Sequence, residues 1–132
     1  MRNSFTRLAK FASASALLLA AGVAAAALPQ PYDAASFKAA QAAGKPVVVE
    51  IHADWCTECR MQDQVLRKML DEAKYAGYAW LRVDYDRQKD AVKDFKARKE
   101  STLVVFKGGR EIARATGITA EERIRALVDQ AK

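Results

Sequence analysis

The chain of 132 residues holds two cysteines, and they stand two residues apart in Trp55-Cys56-Thr57-Glu58-Cys59. The pair follows the apolar run Val47-Val48-Val49-Glu50-Ile51 and opens a stretch with helical spacing, so it sits where a strand hands over to a helix. At that junction the free N–H groups and the dipole of the helix favour a negative sulfur at Cys56, the attacking species in thiol-disulfide exchange. Cys59, one turn deeper, is within reach to resolve a mixed disulfide. A zinc site and an inert bridge are the competing readings. Structural zinc usually takes four protein ligands, and this chain offers only Cys56, Cys59 and its single histidine, His52. A bridge across so short a loop constrains little of the unfolded chain. Redox chemistry is therefore the first expectation.

The N-terminal residues have a different character. Met1 to Lys10 carries Arg2, Arg7 and Lys10 and no acid, and an uncharged run rich in alanine and leucine follows to Leu28. Basic, apolar and small residues in that order predict a secretory signal peptide over residues 1–27, or a membrane anchor if the segment is retained. Residues 28–132 are then one domain of ordinary single-core size. They contain 19 basic and 16 acidic residues, a net charge of +3, with the two signs interspersed, so no nucleic-acid-binding stripe is expected.

Beyond Pro29 and Pro31 an extended lead-in is expected, then a helix over residues 34–43 capped by Asp33 and stopped by Gly44 and Pro46. The run Val47 to Ile51 is continuous enough for a central strand covered on both faces. Met61, Val65, Leu66, Met69 and Leu70 predict a helix from Thr57 to about Glu72. A second strand spans Tyr78 to Tyr85, with Trp80 in the core, and a short helix spans Gln88 to Arg98 with Val92 and Phe95 as its contacts. Residues 102–107 and 110–115 flank Gly108-Gly109, a hairpin turn that would oppose Lys107 and Arg110. After Gly117, Thr119 and Glu122 form a capping box for a last helix that presents Ile124, Leu127, Val128 and Ala131. Strands joined through helices pair in parallel and the hairpin is antiparallel. The expected class is thus α/β, a mixed sheet of about four strands with helices on both faces.

Taken together, the strand leading into Ala53-Asp54-Trp55-Cys56-Thr57-Glu58-Cys59, the hairpin Ser101 to Gly109 and Gly117 before the terminal helix resemble the thioredoxin-like family. The flank Ala53-Asp54-Trp55-Cys56 is also similar to the thioredoxin-like domain of the bacterial membrane reductase that feeds electrons to the periplasm. The resemblance implies that Cys56 is the nucleophile, Cys59 the resolving thiol, and Trp55, Ser101 and Thr102 the residues facing substrate, with Trp55 covering the sulfurs. It also places a buried acid at Glu50. Burial in an apolar strand favours the neutral acid, and a neutral acid beneath the second thiol can exchange its proton as that thiol attacks; the alternative is that Glu50 reaches solvent at the strand end or pairs with a lysine. His52 shares the strand face of Glu50 by alternation, and packing is its expected role.

The sequence departs from the family at Ser101, where thioredoxins carry a cis-proline before the strand's threonine, and at Thr57-Glu58, where thioredoxin has Gly-Pro. A non-proline cis bond costs roughly 2.5–4 kcal/mol, so a trans bond is expected at Ser101. The Glu58 carboxylate opposes thiolate formation at its neighbours, which argues for a reductant rather than a strong oxidant. The expected activity is an exported, periplasmic thiol:disulfide oxidoreductase that reduces protein disulfides, is recharged by a membrane electron donor, acts as a monomer and needs no cofactor beyond the Cys56-Cys59 pair. A dithiol oxidase, and a metal-binding module using Cys56, Cys59 and His52, are the alternatives.

Overall fold

The computed structural model describes residues 29–132, so the predicted signal peptide lies outside the described residues. Five strands form one sheet in the order β1-β3-β2-β4-β5. They are β1 (Gln30–Pro31), β2 (Val47–His52), β3 (Ala79–Asp84), β4 (Thr102–Lys107) and β5 (Arg110–Thr116). Four helices accompany them: α1 (Ala34–Ala42), α2 (Thr57–Leu70), α3 (Lys89–Asp94) and α4 (Glu121–Val128). The α/β expectation holds, with one strand more than about four. The lead-in expected only to be extended pairs with β3 at Gln30 and Pro31, because proline can occupy an edge where no further ladder bond is needed.

β2 is the centre of the sheet, parallel to β3 and antiparallel to β4, with all six residues buried. Alternation along the strands divides the interior into two cores. Val48, Trp80, Leu103 and Val105 pack on one face with Val65, Leu66 and Met69 of α2 and Ile124, Leu127 and Val128 of α4. Val47, Val49, Ile51, Leu81, Val83 and Val104 pack on the other with Ala91, Val92, Phe95 and Phe37. Each large aliphatic side chain buried in this way contributes about 1.5–3 kcal/mol.

Several boundaries differ from the sequence expectations, each for a tertiary reason. α2 ends at Leu70, and residues 73–75 form a separate 3₁₀ turn that buries Tyr75, whose hydroxyl donates to Asp129 at 2.8 Å. α3 is shorter than residues 88–98 because Lys96 turns to φ 53, while Arg114 donates to the Phe95 carbonyl at 2.9 Å. The capping box at Thr119 does not form: Ala120 is the N-cap of α4 and receives no side-chain bond. Gln62 holds the Ile118 carbonyl at 2.9 Å, fixing how the chain enters that helix. Asp33 caps α1 as expected, accepting from the Ser36 N–H at 2.8 Å. The hairpin turn has φ 59 at Gly108 and 73 at Gly109, opposes Lys107 to Arg110, and is followed by a bulge beside Val105 and Phe106.

Candidate active site

Cys56 is the N-cap of the 14-residue α2, and its sulfur accepts the Cys59 N–H at 3.1 Å. The serine-like capping position is filled by a sulfur, which places the reactive atom at the positive end of the helix. Cys56 and Cys59 are joined in a disulfide and are 2% and 0% exposed. The Glu58 carboxylate lies 3.9 Å from the Cys56 sulfur. Arg60 reaches back to the Asp54 carbonyl at 3.3 Å and the Thr57 hydroxyl at 3.2 Å, closing the loop onto the first turn of α2.

Trp55 is 59% exposed and its indole N–H donates to Asp86 at 2.8 Å. Tyr85 packs against Ala53, Cys56 and Cys59 and meets the Trp55 ring edge-on at 6.5 Å. The sequence expectation gave the covering role to Trp55 and did not foresee Tyr85 beside it. Its only sequence signal is its place at the end of the strand beside β2.

Glu50 and His52 alternate with Val47, Val49 and Ile51, so they share the face of Val48 and look towards α2. Arg82 occupies the equivalent face of β3, paired in register with Glu50. Its Nε donates to Glu50 Oε2 at 2.7 Å, and its Nη2 donates to Asp63, one turn beyond Cys59 on α2. Burial pulls the Arg82 guanidinium down, but the charges and hydrogen bonds of Glu50 and then Asp63 reverse this and raise it overall. Glu50 is therefore paired, as in the alternative reading, though with an arginine rather than a lysine. Arg82 gives it a fixed counter-charge, and Asp63 joins it through the same guanidinium. The sequence signal for this pairing is a basic residue amid the apolar positions of the neighbouring strand.

His52 is buried, as expected for a packing residue, but it is also bonded: Nδ1 lies 3.2 Å from Glu50 Oε1, and Nε2 lies 3.7 Å from the exposed Asp54 carboxylate. Both ring nitrogens thus face carboxylates, and the two sulfurs bond each other, so Cys56, Cys59 and His52 are not assembled as a ligand set. Donor atoms of Glu50, His52 and Asp63 lie within 4.8 Å of one another. The guanidinium of Arg82 bonds both of those carboxylates, so the cluster already holds its cation and is an ion-pair network.

β4 begins at Thr102, paired with Ile51, which brings Ser101 to the cysteine end of β2. None of the described peptide bonds is cis, and Ser101 adopts φ 56. Its carbonyl accepts from the Gly117 N–H at 2.9 Å and from Gln62 Nε2 at 3.0 Å. Ser101 and Thr102 are both buried, and the Thr102 hydroxyl is engaged with the Lys99 carbonyl and the Thr116 hydroxyl, each at 2.8 Å. Gln62, three residues after Cys59, is fully buried, although the helical pattern reads it as one of the polar residues between the apolar positions. A polar residue at an inward helical position was its signal.

The thioredoxin family's sequence profile matches residues 29–130. The chain belongs to the thioredoxin family. Among its relatives, the thioredoxin of Alicyclobacillus acidocaldarius is 32% identical over 92 residues, covering 70% of this chain and 87% of that protein. Thioredoxin-2 of Saccharomyces cerevisiae is 32% identical over 86 residues, covering 64% of this chain and 81% of its own. The crystal structure of Trxlp from Edwardsiella tarda EIB202 superposes with a TM-score of 0.71 at 34% identity, over 78% of this chain and 97% of that one. As a thioredoxin-family protein with its Cys-x-x-Cys pair joined at the head of α2, the chain is a thiol-disulfide oxidoreductase.

Proposed function

We propose that this thioredoxin-family protein is an exported reductase of protein disulfides, recharged by a membrane-bound dithiol donor and acting as a monomer. The observation that carries the direction of electron flow is the Glu58 carboxylate 3.9 Å from the Cys56 sulfur. A negative charge at that distance destabilises a thiolate, and a dithiol whose reduced form is not stabilised gives up its electrons readily. The Cys59 N–H and the helix end oppose the effect without removing it.

In the reduced protein the Cys56 thiolate attacks one sulfur of a substrate disulfide. That S–S bond breaks, a mixed disulfide forms, and the departing substrate thiolate takes a proton from water. Cys59 then loses its proton and attacks Cys56 Sγ. The mixed disulfide breaks, the second substrate sulfur leaves as a thiolate, and the Cys56-Cys59 bond closes. Two electrons have passed to the substrate, and a donor dithiol restores them by the same exchange in reverse. Glu50 takes the Cys59 proton, and Trp55, Ser101 and Thr102 border the substrate.

Export rests on the order of residues in 1–27. N-terminal sequencing of protein recovered outside the cytoplasm tests it, an unprocessed cytoplasmic chain being the contrary result. The redox direction is tested by equilibrating the domain in glutathione buffers and counting free thiols. A potential near that of thioredoxin, about −270 mV, supports a reductase, whereas one near about −120 mV would make the protein a dithiol oxidase.

A further inference from the structure

Glu50 is sealed from water at 1% exposure, so any proton it exchanges with Cys59 must also have a way in and out. Oε2 is closed by Arg82, a group that keeps its own protons throughout the physiological range. Oε1 faces His52 Nδ1 at 3.2 Å, and the far side of the same ring, Nε2, faces Asp54 at 3.7 Å. The Asp54 side chain is 89% exposed. One imidazole therefore spans the whole distance between the buried carboxylate and the surface.

We propose that His52 is the proton conduit of the active site, passing protons between Glu50 and solvent at Asp54 each time the Cys56-Cys59 bond opens or closes. The proposal rests on the oxidoreductase reading and adds a positioning residue to it. A carboxylate can only accept, and of the two that face the ring only Glu50 is within hydrogen-bond distance, so in the oxidised state the proton of the neutral ring belongs on Nδ1, 3.2 Å from Glu50, and the lone pair on Nε2, 3.7 Å from Asp54. When a donor dithiol opens the disulfide, Cys59 leaves as a thiolate and needs a proton. Nδ1 hands its proton to the Glu50 carboxylate, Glu50 passes that proton to Cys59, and Nε2 takes one from water at Asp54. When Cys59 later attacks a mixed disulfide, the same proton travels outward: Cys59 to Glu50, Glu50 to Nδ1, Nε2 to solvent. The ring alternates between its two tautomers without turning over, and each half-cycle moves one proton.

The other charged groups around the ring are already committed. On β3, Arg82 binds Glu50 and Asp63, while Asp84, opposite His52 in register, accepts from the backbone of Asp86 and Arg87 and from the Arg87 side chain. On α2, Asp63 is held by Arg82 and faces Arg67 at 4.0 Å. Asp63 is the one competing exit, since its carboxylate stands within 4.8 Å of both Glu50 and His52.

The test separates the two cysteine steps. With the full protein and a disulfide-bonded peptide, formation of the mixed disulfide and its resolution by Cys59 are followed by rapid quench across about pH 5.5 to 9. Glutamine at His52 can keep a hydrogen bond to Glu50 but cannot relay a proton. H52Q is expected to slow resolution roughly 10-fold or more, the scale of general acid-base catalysis, with mixed-disulfide formation unchanged. H52F should slow resolution equally, although only it removes the hydrogen bond. In the wild type, resolution should show a solvent isotope effect whose dependence on deuterium content is curved, as expected for several protons in flight. Wild-type resolution rates in H52Q, an effect confined to H52F, a linear isotope dependence, or slowing by D63N in place of H52Q would each overturn the conduit. Absence of mixed-disulfide formation in the wild type would instead overturn the oxidoreductase reading itself.

Discussion

Ser101 marks a departure of this chain from its family. Thioredoxins carry proline there, whereas here the backbone turns to φ 56, a conformation proline's ring forbids. Two donors, the Gly117 N–H and the Gln62 side chain, hold the Ser101 carbonyl and so maintain the strained turn. Restoring the family residue should therefore harm this protein: Ser101→Pro is expected to cost about 3 kcal/mol or more in urea unfolding. A variant as stable as the wild type would show that the turn is not fixed as described. At Ser101 the sequence was informative yet incomplete. The missing proline was visible, but what replaces its rigidity is a pair of hydrogen bonds from residues 39 positions before and 16 positions after it.

At the level of elements, Gln62 ties α2 to both ends of the β4-β5 hairpin through the carbonyls of Ser101 and Ile118. Both acceptors are carbonyls, so the amide can serve them only through its nitrogen, and its oxygen is left without a partner. Gln62→Leu removes that orphan but abandons the Ile118 carbonyl, and should lower stability by about 1–3 kcal/mol. Gln62→Glu is the sharper probe, because it sets a carboxylate against two carbonyls and favours its protonated form. Its destabilisation should be small below about pH 4, where the unfolded chain is also protonated, and should grow as the pH rises. Chemical unfolding of both variants at low and neutral pH checks the pair; a pH-independent loss in Gln62→Glu would contradict the arrangement.

Across the whole molecule the surface carboxylates give stability a modest dependence on acid. Glu72 is held below the usual carboxylate range by its hydrogen bond to Arg125, and Glu121 by Lys68 and Arg125. In Asp84, burial acts upward but is outweighed by the N–H groups of Arg87 and Asp86. Groups whose folded values are depressed contribute stability above their unfolded values, about 3.9–4.3, and lose it as the pH falls through the lower folded values. Each exposed pair contributes little, so the urea midpoint should change only slightly between about pH 5 and 7 and decline below about pH 4. High salt should soften that decline. A midpoint that rises on acidification would contradict the assignment.

The sequence by itself determined the order of elements, the division of the sheet into two cored faces and the position of the disulfide at the head of α2. Those features follow from local causes: the periods of apolar residues, the glycines at the hairpin turn, and the two cysteines one helical turn apart. It also placed Glu50 and His52 on one face, since alternation along a strand is a local rule. The tertiary structure decided what those side chains meet. Arg82 arrives from β3 and Asp63 from α2, 32 and 13 residues away along the chain, and turn a lone buried acid into an ion-pair network. It likewise seated Tyr85 against the cysteines, and drew Gln30 and Pro31 into a fifth strand. Partnership between distant charges leaves no periodic trace in a sequence; it exists only once the sheet has set the neighbouring strands in register.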